Sequence, residues 1–226
     1  MQLVIGNKNY SSWSMRPWVL LTQLGLHFEE IKLRFDFAEG SVYRQTVARY
    51  TPARTVPVLV DEGFAVWDTL AITEYLHEKY PGHGVWPTDP QDRARARSLC
   101  AEMHAGFGAL RNHCPMNIEA ALPEVGQRIW AEQPAVRRDL ERLEQMWAEA
   151  LAGSGGPMLF GEFSAADAYF APVCMRLRTY ALPVSPTTRT YVERVAAQPG
   201  VARWIVDARA EQDFLDFEEP YRTSRG

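Results

Sequence analysis

Hydroxyl side chains crowd the junction between the first predicted strand and the first predicted helix, where they could hold an anion. The segment Tyr10–Pro17 has the sequence YSSWSMRP and supplies Ser11, Ser12 and Ser14. The first N–H groups of a helix have no partner inside the helix, and the helix dipole makes this end positive. A hydroxyl there can donate to a thiolate or a phosphate group held at the helix end. Ordinary capping is the alternative interpretation, with Ser14 as the N-cap and Pro17 in the first turn.

A proline opens a predicted strand in the segment Arg54–Val58, which has the sequence RTVPV. Proline removes a hydrogen-bond donor from a sheet, so it is unusual at the start of a buried strand. A cis peptide bond before Pro57 would turn the backbone of Val56 toward a ligand. The alternative is an edge strand that happens to begin with proline.

An acid and a hydroxyl, Asp68 and Thr69, begin the third predicted helix. In this position they either cap the helix or orient the ammonium and carboxylate groups of an amino acid at its N-terminus. Both functions place the same side chains at the same helix start, so this pair taken alone leaves the choice open.

Alternating strands and helices in the first eighty residues must position these three segments. Short apolar runs predict strands over residues 2–6, 28–35, 56–60 and 64–66. Helical spacing predicts helices over residues 14–24 and 39–49, and a third that Pro81 ends. The predicted order is therefore β-α-β-α-β-β-α.

A proline- and glycine-rich connection separates this half from a second half of different texture. We predict a first domain over residues 1–81, a linker over 82–90 and an all-helical domain over 91–226. The helical periodicity of the second half predicts helices over residues 93–112 and 135–153, from 164 onward, and over 191–197 and 201–213.

The composition excludes several classes of protein. Apolar residues make up 46% and charged residues 23%, which is typical of a globular chain and not of a disordered or coiled-coil one. A net charge of -4 argues against a nucleic-acid partner, which needs a concentrated basic face. No apolar run approaches a membrane span, and the first residues are too short an apolar stretch for a signal peptide. Three cysteines without CxxC spacing favour reduced thiols in the cytoplasm over a disulfide framework or a zinc site.

Taken together, the three segments and the helical second half resemble the cytosolic glutathione transferases over essentially the full chain. The loop SSWSMR is most similar to the zeta-class loop, of the form S-S-C-S-W-R. VPVL is similar to the family's cis-proline strand, and DTLAITEYL to its E/Q-S-x-A-I-x-x-Y-L stretch. The resemblance implies an α/β thioredoxin-like N-terminal domain that binds glutathione and an all-α C-terminal helical bundle that shapes the pocket for the second substrate.

The resemblance implies a site for glutathione. It makes Ser11 the catalytic serine, with Ser12 and Ser14 as rivals because an offset along the loop stays open. It implies that the backbone of Val56, before the cis Pro57, pairs with the cysteinyl part of glutathione. The family pattern assigns the γ-glutamyl end to Asp68 and Thr69. Arg44 could meet the glycine carboxylate, although surface arginines are usually solvated. Arg54 is a second candidate for the glycine carboxylate.

The resemblance also implies where the second substrate binds. One face of the first helix after the linker often lines that pocket in the family, and here it carries His104, Phe107 and Arg111. Ordinary packing between the domains is the alternative for these residues. Tyr10 and Trp13 would flank the same pocket and suit a flat or apolar electrophile.

The implied function is that of a glutathione transferase that attacks a small electrophile with a glutathione thiolate, as a homodimer and without a metal or a membrane partner. Glutathione-dependent reduction of peroxides or disulfides is one alternative, and a non-catalytic interaction module with this fold is another. Trp13 replaces the zeta-class cysteine, which puts the typical zeta activity, maleylacetoacetate isomerisation, in doubt. Residues 1–99 contain no cysteine, so a mixed disulfide in the serine loop is impossible.

A capping box is predicted in the second half. Ser164 and Asp167 have the S/T-x-x-D pattern that satisfies backbone donors at a helix start. We expect this pair to contribute to stability and not to chemistry.

Overall fold

The computed structural model of the chain describes residues 1–225, and it has a small mixed sheet in its first part and helices in its second. The elements are, in chain order, β1 (Gln2–Ile5), α1 (Ser12–Gln23), β2 (Glu29–Lys32), α2 (Val42–Val47), β3 (Val58–Asp61), β4 (Phe64–Trp67), α3 (Thr69–Lys79), α4 (Pro90–Ala105), α5 (Gly108–His113), α6 (Pro123–Glu132), α7 (Pro134–Ser154), α8 (Ala165–Tyr180), α9 (Pro186–Ala196) and α10 (Pro199–Glu211). The predicted order of strands and helices in the first half is confirmed.

The four strands form one sheet in the order β2-β1-β3-β4. β1 runs parallel to β2, with Val4 opposite Ile31, and antiparallel to β3, with Val4 opposite Val58. β3 and β4 form the predicted hairpin. Leu3 and Leu59, which pair across β1 and β3, are fully buried in the core. The thioredoxin-like α/β half followed by a helical half is therefore the observed architecture.

The helical half departs from prediction at two places. The single helix expected over residues 93–112 is wrong, because the chain breaks between α4 and α5 at Gly106 and at Phe107, whose φ of 58° lies in the left-handed region. Helix α6 was not predicted at all. Its Gly126 is needed because a Cβ atom there would lie 1.7 Å from the carbonyl oxygen of Tyr180.

Helix α1 begins two residues before the predicted start, and Ser11, not Ser14, is its N-cap. Pro17 consequently lies inside the helix and not in its first turn. α1 packs against α3 on the sheet side and against α8 and α10 of the helical half. At the last of these contacts the rings of Trp18 and Trp204 meet edge to face, with centroids 5.2 Å apart. The helix that carries the serine loop is thus fixed from both halves.

None of the helices in residues 1–225 is long and apolar enough to cross a membrane. Within the same residues no group of three or more His, Cys, Asp or Glu side chains is arranged to hold a metal ion. The three cysteines, Cys100, Cys114 and Cys174, are buried and free.

Candidate active site

A cavity of about 560 Å³ lies where the serine loop, the cis-proline segment and the start of α3 meet the helical half. Its walls come from both halves of the chain and are formed by Tyr10, Ser11, Ser12, Trp13, Phe35, Phe37, Tyr43, Thr55, Val56, Pro57, Asp68, Thr69, His104, Arg111, Pro115, Met116, Arg176 and Glu218. All three segments singled out in the sequence therefore contribute to one cavity.

Ser11 caps α1 and also lines this cavity. Its Oγ accepts a hydrogen bond from the backbone N–H of Ser14 at 3.3 Å and donates to the Ser14 Oγ at 2.7 Å. The Ser14 Oγ in turn accepts from the N–H of Gly6, the residue after β1, at 3.1 Å. Ser14 is fully buried and lies outside the cavity wall, so its hydroxyl supports Ser11 from behind.

Ser12 is the second hydroxyl on the cavity wall, and it belongs to a different hydrogen-bond network. Its Oγ accepts from Nη2 of Arg176, a buried residue of α8, at 3.3 Å. Arg176 also donates from Nε to the backbone carbonyl of Cys114 at 2.8 Å. Burial, together with the nearby cation Arg111, lowers the pKa of Arg176 to about 10.

The Val56–Pro57 peptide bond is cis. This is the first of the two interpretations that the sequence left open for Pro57. Val56 lies two residues before Val58, the first residue of β3 that pairs with β1 and β4. Val56 therefore lies outside the sheet's ladder and on the cavity wall.

The start of α3 presents an exposed carboxylate beside a buried hydroxyl. Asp68 has a φ of 74°, rare for a residue other than glycine, and its Oδ1 accepts from the N–H of Leu70 at 2.8 Å. Its other oxygen lies 3.3 Å from Nε2 of His104 on α4, which links the two halves. Thr69 is buried and lies close to the Tyr169 hydroxyl: burial raises the pKa of Tyr169, and Thr69 opposes this rise. No hydrogen bond of ordinary geometry to the Thr69 Oγ1 is formed within residues 1–225.

Three cationic or titratable side chains surround Trp13. The guanidinium carbons of Arg16 and Arg111 lie 4.3 Å and 4.8 Å from the centroid of the indole ring. His104 meets the same ring edge-on at 5.0 Å. Burial lowers the pKa of Arg16 to about 10. Burial also lowers the pKa of His104 below its ordinary value, against the attraction of Asp68 and with the help of both arginines.

The two cavity arginines lack a direct carboxylate partner in residues 1–225, although nearby Glu218 partly offsets the lowering of the Arg176 pKa by burial. Within residues 1–225 neither Arg111 nor Arg176 forms a salt bridge; Arg111 donates to backbone carbonyls, including that of His104 at 2.9 Å. The same wall also carries the carboxyl groups of Asp68 and Glu218, so the cavity offers groups of both charges, and the two arginines suit an anionic group.

Two of the predicted site residues lie away from the cavity wall. Arg44 is exposed on α2, where its Nε donates to the carbonyl of Phe37 at 2.8 Å, and it lines an adjoining groove together with Arg54. Phe107 is buried in the core, because the break after α4 turns it away from the face that carries His104. The other predicted residues, which are Tyr10, Ser11, Trp13, Val56, Pro57, Asp68, Thr69, His104 and Arg111, share the one cavity.

Sequence reasoning missed Arg176 and Glu218 as cavity residues. Arg176 had a signal: it is a cation within α8, of which almost every residue is buried. Such a residue must have a polar environment or a ligand. Glu218, which lies beyond α10, had no local signal. Burial raises its pKa above the ordinary value, although nearby Arg176 opposes this.

Family descriptions match both halves of the chain. That of the glutathione S-transferase N-terminal domain matches residues 10–79, and that of the glutathione S-transferase C-terminal domain matches residues 93–206. The chain therefore belongs to the glutathione S-transferase family, as its three motifs predicted.

Relatives of this chain include zeta-class proteins. Maleylacetoacetate isomerase from Rattus norvegicus is 28% identical over 177 residues, which is 78% of this chain and 78% of the relative. A zeta class glutathione S-transferase from Euphorbia esula is 26% identical over 165 residues, or 72% and 70% of the two chains. Among solved structures, a glutathione transferase homolog from Burkholderia with bound glutathione is 27% identical, with a TM-score of 0.70 over 92% of this chain and 98% of the other. The predicted likeness to zeta-like and bacterial members is confirmed.

Proposed function

We propose that this protein binds glutathione along its sheet half and activates the glutathione thiol at Ser11 for attack on a small electrophile. The observation that carries this proposal is the Ser11 hydroxyl, which lies at the N-terminus of α1 and lines the same cavity as Val56 and Thr69. The backbone of Val56 suits the cysteinyl part of the peptide, which would bring its sulfur toward α1. Asp68 and the Thr69 hydroxyl, which line the cavity at the start of α3, suit the ammonium and carboxylate of the γ-glutamyl end.

The Ser11 hydroxyl can act without a general base. A free thiol has a pKa of about 8.5, so only about 3% of it is thiolate at neutral pH. The positive end of a helix and one hydroxyl donor together lower such a pKa by about two units, which is roughly 2.7 kcal/mol. Thiolate then becomes the main form, and thiolate is the nucleophile.

Ser14 supports this assignment to Ser11. Rotating the two hydroxyls reverses their hydrogen bond, so that Ser14 donates to Ser11 and frees the Ser11 proton for the sulfur. The N–H of Gly6 already donates to Ser14, which completes a relay that points toward the cavity. Ser12 remains the rival, because its hydroxyl lines the same wall.

A carboxylate-bearing electrophile is the substrate class that the cavity favours. Arg111 and Arg176 are cations without salt-bridge partners in residues 1–225, and both lie on the wall. Glutathione-dependent isomerisation of such an acid is therefore a second candidate function, in line with the similarity to maleylacetoacetate isomerases. A comparison of an unsaturated dicarboxylic acid with its methyl ester would test the class, because the acid should react at least tenfold faster if these cations bind it.

We also propose that the protein functions as a cytoplasmic homodimer whose first domain ends near residue 81. The end of α3 at Lys79 and the start of α4 at Pro90 support this boundary. Two exposed aromatic side chains on β4, Phe64 and Trp67, support an interface, and analytical ultracentrifugation would test it.

Calorimetric titration with reduced glutathione is the first test of the proposed function. Saturable binding, followed by conjugation of a chlorodinitrobenzene at a rate above that of free glutathione, is the expected result. A folded protein that does not bind glutathione would contradict the proposal and would favour the interaction-module alternative. S-methylglutathione is the matched control ligand, since it should bind without giving a thiolate.

A further inference from the structure

The loop that precedes Ser11 is held by a distant segment of the chain, residues 211–222, which we call the strap. The loop comprises Asn7, Lys8, Asn9 and Tyr10, and each of these residues forms a hydrogen bond to the strap. The backbone N–H of Ser11 itself donates to the carbonyl of Asn7 at 2.8 Å. The position of the catalytic hydroxyl therefore depends on where the strap holds this loop.

Two carboxylates of the strap bind the first part of the loop. Glu211 accepts from the backbone N–H groups of Lys8 at 3.0 Å and Asn9 at 3.2 Å. Asp213 accepts from the Asn7 amide at 3.0 Å. These bonds hold main chain and side chain alike, so the loop has little freedom to shift along α1.

Glu219 binds the last loop residue and lies at the centre of a buried network. Only 5% of Glu219 is exposed, and its Oε1 accepts from the Tyr10 hydroxyl at 2.6 Å. The carboxylate also accepts from the Asn117 amide at 2.9 Å and from Nε of Arg222 at 2.8 Å. Burial alone would favour the neutral acid, but the hydrogen bonds from Arg222 and Tyr10 outweigh it and lower the pKa of Glu219. The Tyr10 hydroxyl is thereby committed to the strap and not to the cavity.

Cations pair with the three strap carboxylates that bind the loop. Lys32 lies 2.9 Å from Glu211, Arg34 lies 2.9 Å from Asp213, and Arg222 pairs with Glu219. Unpaired carboxylates this close to Ser11 would disfavour a thiolate, since like charges raise a thiol pKa. Because these three are paired, they hold the loop at little electrostatic cost to the site. Glu218, the strap residue on the cavity wall, forms no salt bridge within residues 1–225, and burial raises its pKa, which favours its neutral form.

We propose that the strap is part of the thiol-activating site and that Glu219 is a positioning residue, which acts through Tyr10 on Ser11. This inference rests on the proposed function. Losing the Glu219 charge frees the Tyr10 side chain and lets the loop move. The Ser11 hydroxyl then forms a weaker hydrogen bond to the sulfur. The groups on α3 and before β3, which hold the peptide, stay in place.

The test compares Glu219→Gln and Tyr10→Phe with the wild type by titrating the thiolate absorbance of bound glutathione, near 240 nm, against pH. We expect each variant to raise the thiol pKa by about one unit, which lowers the thiolate fraction about tenfold on the acid side. The kcat should fall by the same factor, and the KM for glutathione should stay within about twofold. The matched control is Glu102→Gln, which breaks a bidentate pair with Arg142 in the helical half and should leave the thiol pKa unchanged.

The outcomes are distinguishable. A wild-type protein without a thiolate band overturns the proposed function and this inference with it. A wild-type band together with an unchanged pKa in both variants overturns the inference alone and leaves the strap a purely structural element. If Glu219→Gln does not fold, Tyr10→Phe decides, since it keeps the pair between Glu219 and Arg222 intact. Equal shifts in the Glu102→Gln control would also overturn the inference.

Discussion

Helices α1 and α8 both begin after a serine N-cap, but the residues three positions after the two serines differ. Ser11 and Ser164 are both N-caps, and their exposed fractions are 5% and 4%. The residue three positions on is Ser14 in α1 and Asp167 in α8. At α8 the Asp167 carboxylate accepts from the backbone N–H of Ser164 at 3.0 Å and completes the capping box predicted from the sequence.

The difference shows how one local motif separates stability from chemistry. Asp167 brings a carboxylate to the positive end of α8, so the charge at that end is already compensated and needs no outside anion. α1 has no acid in its first turn and carries the cation Arg16 just beyond it. Its end lines a cavity, so the anion that would neutralise it must come from a substrate.

Removing the acid of α8 should have the largest effect. Asp167→Ala removes the acceptor of four donors: the N–H groups of Ser164 and Leu159 and the hydroxyls of Ser164 and Tyr191. We expect the free energy of unfolding to fall by about 3 kcal/mol or more, because buried unpaired donors are costly. Urea unfolding measures this, and glutathione affinity of the folded fraction should persist. The exposed first-turn acid of α4 gives the control Asp92→Ala, which should change stability little; an equal loss there would contradict the comparison.

Removing the hydroxyl of α1 should affect catalysis more than stability. Ser11→Ala should raise the pKa of the bound thiol by about one to two units, since the positive helix end remains, and slow the reaction about tenfold to a hundredfold below that pKa, or roughly 1.4–2.7 kcal/mol. The pH dependence of kcat would show the shift. Ser12→Ala is the matched control, and the assignment to Ser11 is wrong if Ser12→Ala gives the larger shift.

The buried carboxylate of α8 should make stability depend on pH. Burial raises the pKa of Asp167 to about 6, against the hydrogen bonds that favour its charged form. Between pH 4 and pH 6 the folded state then binds more protons than the unfolded state, so stability falls as the pH rises, by at most about 1.4 kcal/mol per unit. The stability difference between the wild type and Asp167→Asn should shrink over this window and level off above it. A difference that is constant from pH 4 to pH 7 would show that Asp167 titrates normally.

Removing the hydroxyl of α8 should have the smallest effect. Ser164→Ala should lower the free energy of unfolding by about 1 kcal/mol, the usual cost of losing an N-cap. Thermal unfolding would show it. The thiol pKa should not move, and a shift as large as that of Ser11→Ala would mean that the two helix ends are coupled.

The parts of the site that could be predicted from sequence are those with local signals. Ser11, Pro57 and Asp68 each lie at the end of a helix or strand, where residue type and position have a direct physical meaning. Arg176 and Glu219 reach the serine loop from more than 160 positions away, and that proximity is a result of packing. No pattern in the residues next to Arg176 or Glu219 predicts that these side chains lie near the serine loop.

The errors in the helical half have a similar origin. A glycine lowers the helix propensity of its segment, so Gly126 kept α6 from being predicted. The glycine is present because this helix lies in close contact with Tyr180. At the end of α4, periodicity continued across Gly106 and suggested one long helix. Phe107 follows that helix with a left-handed φ, which the burial of its side chain in the core stabilises. Nothing in the neighbouring sequence indicates this burial.

The three buried cysteines have a practical consequence for chemical labelling. Cys100 and Cys174 are fully buried, and burial raises the pKa of each of their thiols well above its ordinary value, so neither offers a reactive thiolate. With Trp13 in the serine loop and no cysteine before Cys100, the reactive sulfur at the site is the substrate's own. An alkylating reagent such as iodoacetamide should therefore consume glutathione and spare the enzyme.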